Sequence, residues 1–327
     1  SPRRWGVISR GTTTTPEPYR GDNTMSLVTR VIPDKPNQVQ LQPGGTLTLQ
    51  VDGPPGVLTA RALDPNNNLV PGWPVNFIVT PGGSPPLITV QPSSAQTGAS
   101  GTVTTTVSPG TRVGDGSVTA TIVGKNGTTQ AVTSVRVLPG GPYTVTASLA
   151  TADPLVVGSG RDMSVSVTDR YGNPVSDGTV VPLTTTLGAF QDGQGGSGSP
   201  LRTTTTGGVI HARYNAGTLA GIARIGACAQ SGRCTAFPAT ILSGAPFGIT
   251  TNLSRVEAQA GDEPLQVTVD VVDQFGNRVG NGEMVTLSVD NCPTALLQPT
   301  TAPTVDGRVP ESLGVGTMPC QGVVHAD

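Results

Sequence analysis

One unit of strand, tight turn and strand recurs three times along this chain, and that recurrence constrains the fold more than any other feature. Its clearest copy runs Leu265-Gln-Val-Thr-Val-Asp-Val-Val272, then Asp273-Gln-Phe-Gly276-Asn277-Arg-Val279, then Met284-Val-Thr-Leu-Ser-Val289. Apolar residues alternate in both flanking runs, the period of a half-buried strand, and Gly276 and Asn277 tolerate the positive φ of a sharp reversal. A second copy sets Asp169-Arg-Tyr-Gly172-Asn173 between Met163-Ser-Val-Ser-Val-Thr168 and Thr179-Val-Val-Pro-Leu183. A weaker one sets Asp64-Pro-Asn-Asn-Asn68 between residues 58–63 and 73–79. Asp64, Asp169 and Asp273 stand 105 and 104 residues apart, which divides the 327 residues into three modules of one kind.

Glycine (44) and proline (30) are abundant while aromatic residues make up 3% and charged residues 12%, a balance that approaches low complexity. Regular Val/Thr/Leu alternation between the turn residues points instead to many short strands and an all-β fold. A net charge of −2 with no basic run argues against a nucleic-acid partner. No apolar stretch reaches the roughly 18 residues of a membrane span. The opening Ser1-Pro-Arg-Arg has neither Met nor an apolar signal region, as expected of a mature or trimmed product.

Residues 1–37 read as an N-terminal arm, followed by domain one at 38–140, domain two at 141–246 and a shorter domain three at 247–327. Pro139-Gly-Gly-Pro142 and Ser243-Gly-Ala-Pro246 mark the joins, and linkers so short are expected to be stiff. Within the arm, Met25-Ser-Leu27-Val28-Thr-Arg-Val31-Ile32 is β-prone and is stopped by Pro33 and Pro36. Each later module opens 25 or 26 residues before its aspartate; the same count from Asp64 reaches Gln38. The 25–32 strand therefore lies outside the first module's own allotment. The Gly-rich run from Gln191 to Pro200 lacks the Lys-Ser/Thr of a phosphate loop and reads as a mobile surface loop.

Four cysteines fall as Cys228/Cys234 inside the second module and Cys292/Cys320 inside the third. Cys228-Ala-Gln-Ser-Gly-Arg-Cys234 reads as a hairpin in which a cross-strand disulfide can close. Loop entropy gives about 2.4 kcal/mol for that small ring and about 3.6 kcal/mol for the larger one. Free thiols or a zinc site are the alternatives; disulfides imply an oxidising, extracellular setting.

The Asp-x-(Tyr/Phe)-Gly-Asn-x-Val turn, the (Val/Pro)-x-(Leu/Phe) strand after it, the Gly-led strands near 101, 208 and 307, and a late strand opened by Gly116, Gly221 and Gly322 together resemble bacterial immunoglobulin-like domains of the invasin/intimin type. The likeness covers about 38–327 and is weaker in the first module, where Asn66-Asn67-Asn68 replaces aromatic-Gly-Asn. It implies two-sheet antiparallel sandwiches serving as stalk modules of surface adhesins, located outside the cell, with a host or cell-surface receptor among the partners. The family has no shared catalytic residue to carry over.

Nothing in the chain forms a catalytic constellation, so no enzyme is expected. His211 and His325 each sit in an alternating strand. Asp64, Asp169 and Asp273, with Gly172, Asn173, Gly276 and Asn277, recur at one structural position and read as turn caps. No cofactor is expected; calcium at those aspartates is the runner-up. A carbohydrate-binding module is a distant alternative, since no aromatic platform or carboxylate pair stands out.

If Gly116, Gly221 and Gly322 are equivalent, the third module has only the start of its sixth strand and none of a seventh. A central strand with about four inward apolar side chains, each contributing roughly 1.5–3 kcal/mol, is a large part of a module's stability. The spare strand offers Leu27, Thr29 and Val31 on one face and Val28, Arg30 and Ile32 on the other. Inserted into the third module of another copy of the chain, it would build a head-to-tail filament. The alternative is a stalk segment of a longer adhesin.

Overall fold

The computed structural model describes residues 29–152, 154–229 and 231–327. All regular elements among them are strands, arranged as three two-sheet sandwiches, and no helix is long and apolar enough to cross a membrane. The chain divides into two compact units, Ser1–Gly140 and Gly141–Asp327, the second containing two sandwiches.

The first sandwich comprises β1 (Gln38–Gln42), β2 (Thr46–Gln50), β3 (Gly56–Leu63), β4 (Pro74–Thr80), β5 (Ile88–Gln91), β6 (Ser94–Gln96), β7 (Thr102–Pro109), β8 (Gly114–Gly124) and β9 (Gly127–Leu138). Its sheets run β1-β3-β7-β5 and β2-β9-β8-β4-β6. Alternation decides which side chains meet between them: Leu58, Ala60 and Ala62 from β3 face Val75 and Phe77 from β4, with Val118, Ala120 and Ile122 from β8. The chain changes sheets after β1, because Pro43 has no N–H to continue the ladder; β2 then pairs parallel to β9.

The second sandwich comprises β10 (Thr144–Leu149), β11 (Leu155–Val156), β12 (Gly160–Thr168), β13 (Val180–Thr185), β14 (Ala189–Asp192), β15 (Ser197–Gly198), β16 (Leu201–Thr204), β17 (Val209–Asn215), β18 (Gly221–Cys228) and β19 (Cys234–Leu242). Its sheets are β10-β12-β17-β14-β15 and β11-β19-β18-β13-β16. Phe190 and Tyr214 pack with ring centroids 5.5 Å apart, and the Tyr214 hydroxyl donates to the Leu187 carbonyl at 2.7 Å, so the largest core ring keeps its polar end satisfied. The Gly-rich stretch at 191–200, read from the sequence as a mobile loop, contains a hairpin: Phe190 pairs with Gly198 and Gln191 with Ser197. The Asp192 carboxylate supplies the turn, accepting the N–H groups of Gln194 and Gly196 at 3.0 and 2.7 Å.

The third sandwich comprises β20 (Gly248–Leu253), β21 (Leu265–Val272), β22 (Met284–Asp290), β23 (Leu296–Gln298), β24 (Thr301–Pro303), β25 (Arg308–Gly314) and β26 (Val323–Ala326), in sheets β20-β21-β25-β23 and β24-β22-β26. The N–H groups of Asn37, Tyr143 and Phe247 donate to the carbonyls of Leu63, Thr168 and Val272, which fixes the equivalence of the three repeats. In the opposite sheet, Val118, Ile225 and Val324 stand across from Val79, Thr185 and Val289. Gly116 and Gly322 are therefore equivalent to Ala223, not to Gly221, which lies two residues earlier. A glycine at a strand's start is a weaker marker of register than the apolar pair inside it.

The strand expected over 25–32 is not formed where it can be seen. Thr29 to Ile32 have no ladder partner among the described residues, and Val31 and Ile32 are 65% and 68% exposed. Met25, Leu27 and Val28 lie outside the described residues. A single extended segment has no stable ladder without a neighbour to take its N–H and C=O groups.

Candidate functional site

The repeat turns are built by one buried carboxylate each. Asp273 Oδ1 accepts the N–H groups of Phe275 and Asn277, both at 2.9 Å, and Asn277 Nδ2 donates to Oδ2 at 2.9 Å. Asp169 holds Tyr171 and Asn173 in the same way, and Asp64 holds Asn66 and Asn68. Gly172 and Gly276 both take φ of +84°, and Asn67 takes +62° in the first copy. Asparagine tolerates the left-handed region, which explains why Asn66-Asn67-Asn68 makes the same turn without glycine. Oxygens this engaged with N–H donors act as turn caps.

The third turn does more than reverse the chain. Asp273 Oδ2 accepts the N–H of Gly244 in the preceding linker at 2.8 Å. Asn277 reaches back into the second sandwich: its Nδ2 donates to the Thr218 carbonyl at 2.8 Å, and its Oδ1 accepts the Ala220 N–H at 2.9 Å. Phe275 lies over Gly158, where an added methyl would touch the ring. The turn is thus a clasp between the second and third sandwiches. Its equivalent in the first sandwich is also engaged, with Asp64 Oδ2 accepting the Asp34 N–H at 3.1 Å and Asp34 paired to Lys125.

Burial alone would raise the carboxyl of Asp273, but hydrogen bonds from Gly244, Asn277 and Phe275 outweigh it and hold the group below its ordinary range. Asp64 is governed in the same way, burial being outweighed by bonds from Asn68, Asp34 and Asn66. Glu311 behaves in the opposite sense: it is 4% exposed on β25, and burial raises its carboxyl.

The second feature is an open sheet edge. In the first sandwich the outer side of β8 is taken by β9, pairing Gly116 with Val135 and Val118 with Thr133. In the second, β19 lies beside β18 in the same way, pairing Ala223 with Ala239 and Ile225 with Phe237. In the third, β26 pairs with β22 on one side, and among the described residues no strand lies on the other. The segment that would be that strand's parallel neighbour has no ladder partner among the described residues either. Gly261 N–H donates to Gly316 just as Gly158 does to Gly217, which places Ala258 and Ala260 at the positions of Leu155 and Val157. Leu155 and Val157 are buried beneath the sheet, whereas Ala258 and Ala260 are exposed and Val256 is 90% exposed.

Both expected disulfides are present. Cys228–Cys234 closes the β18–β19 hairpin. Cys292–Cys320 ties the end of β22 to the approach of β26, holding the open edge against its one partner. His211 is exposed on β17, and His325 on β26 lies 3.3 Å from the Asp290 carboxylate. Among the described residues no group of three His, Cys, Asp or Glu side chains is placed to hold a metal ion. Sequence reasoning found the turn aspartates but missed the clasp made by Asn277, the exposed strip at 256–260 and buried Glu311. Glu311 was readable, since it takes an inward position in the alternation Val309-x-Glu311-x-Leu313.

These features define tandem immunoglobulin-like sandwiches, two of them joined by a clasp and the third, among the described residues, with an open edge. Among solved structures, the Escherichia coli adhesin FdeC matches with a TM-score of 0.51 and 19% identity, over 86% of this chain and 88% of that one. Invasin, a bacterial integrin-binding protein, matches at 0.43 and 15% over 88% of this chain and 56% of its own, and the Yersinia pseudotuberculosis adhesin InvE at 0.31 and 17% over 70% and 66%. The likeness to FdeC is one of fold. No family model and no curated protein matches the sequence.

Proposed function

We propose that this chain is a non-catalytic, extracellular structural protein of adhesin type, displayed at a cell surface, whose copies join when residues 25–32 of one complete the third sandwich of the next. The observation that carries the proposal is the side of β26 on which no strand lies among the described residues, the place that β9 and β19 fill in the other two modules. An edge of free N–H and C=O groups beside exposed apolar residues is a template for an added strand. The FdeC fold and the two disulfides support an adhesin-type role outside the cell. Changing Leu27 and Val31 together to Asp should leave monomers by sedimentation and abolish filaments by electron microscopy. Filaments that persist in this variant would refute strand donation.

A second reading has the edge of β26 covered by a later strand of the same polypeptide, as in the stalk of a longer surface adhesin that meets a host or cell-surface receptor. The clasp between the second and third sandwiches favours tandem use of this kind. Intact mass of the native protein separates the two: about 33 kDa fits the filament subunit, and a much larger mass fits the stalk.

A further inference from the structure

The filament reading leaves open where a donated strand would lie and in what register. The repeat equivalence answers both. Asn37, Tyr143 and Phe247 make the same backbone hydrogen bond, and a little upstream of the first and last of these, Asp34 and Gly244 give their N–H groups to Asp64 and Asp273. Counting back from these anchors sets Ile32-Pro33-Asp34-Lys35-Pro36 beside Leu138-Pro139-Gly140-Gly141-Pro142 and Leu242-Ser243-Gly244-Ala245-Pro246. Residues 25–32 then coincide with 131–138, the end of β9, and with 235–242, the end of β19.

The side-chain pattern agrees with this alignment. Thr133, Val135 and Val137 are buried in the first sandwich, and Ala239 and Ile241 in the second. The matching residues of the arm are Leu27, Thr29 and Val31. Arg136, which projects outward to Asp115, is matched by Arg30. The segment thus has the composition of a final strand of this sandwich type, followed by the linker that such a strand leads into.

We infer that residues 25–32 are a displaced final strand, and that in the third sandwich of a second copy they occupy the slot between β26 and the 256–260 strip, with Leu27 opposite Val324, Ser26 opposite His325 and Val31 beside Ala258. This rests on the filament reading and adds the slot and the register. The antiparallel partners follow from Thr133 opposite Val118 and Phe237 opposite Ile225, and the parallel one from Leu49 beside Val137 and Leu155 beside Ile241. In this register the inward face lies over Val324 and Ala326, which are only half-buried, and covers Ala258. The donor's Asp34 would remain on its own Asp64, as Gly244 does on Asp273, so each join would carry the same linker clamp.

The test uses the full chain with two cysteines added on the outward face. Directly opposite residues of an antiparallel pair lie about 4.5–5.5 Å apart at Cβ, within disulfide reach, whereas residues two positions off register are about 7–8 Å apart. Under mild oxidation, Ser26→Cys with His325→Cys should give a ladder of covalent multimers on a non-reducing gel, and Ser26→Cys with Val323→Cys should give none. If filaments form but the ladder appears with the Val323 pair, or with neither, the register is wrong and strand donation itself survives. If the parent protein shows no assembly by sedimentation at any concentration tested, both this inference and the filament reading fall.

Discussion

The second and third sandwiches share a turn and the order of the strands they have in common, and each holds one disulfide, yet they bury their equivalent residues differently. Ile225 and Ala227 on β18 are fully buried, while Val324 and Ala326 on β26 are half-buried. The local sequence is not responsible, because both strands alternate in the same way. What differs is the neighbour: β19, β11 and the residue after it bring Ile241, Ala239, Leu155 and Val157 over the second core, and among the described residues the third has no counterpart to the first two and only exposed alanines for the others. Burial of a strand residue is thus decided by the next strand in the sheet as much as by its own period. The sharpest way to break this comparison is to truncate both. Ile225→Ala should cost about 2–5 kcal/mol, as for a closed core, and Val324→Ala well under that, measured by urea unfolding with hydrogen exchange to separate the modules. Equal losses would mean that the third core is sealed.

The same contrast explains what could be read from the sequence. The turns were legible because Asp273 and Asn277 close their hydrogen bonds within one short stretch, and the all-β fold was legible from alternation. The parallel pairing of β2 and β11 was not, since Thr46–Gln50 and Leu155–Val156 are defined by β9 and β19, far away in the chain. Asn277 carried no local sign of its contacts with Thr218 and Ala220, because the loop that receives it lies in the preceding module. Ile32-Pro-Asp-Lys-Pro36 did carry a sign: its spacing of prolines repeats Leu138-Pro-Gly-Gly-Pro142, but only the shared backbone bonds turn that spacing into an alignment.

A comparison of the first and third turns should show a smaller effect. Asp64→Ala and Asp273→Ala each strand several N–H donors, at a cost of about 1–3 kcal/mol. Asn277→Ala, by contrast, removes the bonds to Thr218 and Ala220 and should loosen the clasp, seen as faster hydrogen exchange at Ala220. Both carboxyls are held below their ordinary range, so the stability they contribute is fully present above the unfolded value of about 4 and is lost as pH falls through the depressed one. The alanine variants should lose that acid dependence in the module concerned. An unchanged acid limb would remove these aspartates as its cause.

Glu311 gives the smallest effect and the opposite sign. Across from Leu58, Met163 and Val267 stand Thr105, Ala212 and Glu311, so the third sandwich has a carboxyl where the others have a small side chain. Burial raises it above its ordinary range, with no hydrogen bond to offset the loss of water among the described residues. A raised acid favours the folded state below its unfolded value, and that contribution is lost as pH rises through the folded one. Glu311→Thr should therefore stabilise the third sandwich at neutral pH, by about 1 kcal/mol, and by less near pH 4, where Glu311 already carries its proton. Urea unfolding of both proteins at the two pH values measures the difference. A destabilised Glu311→Thr at neutral pH would mean that the carboxylate has a charged or donating partner in the assembled protein.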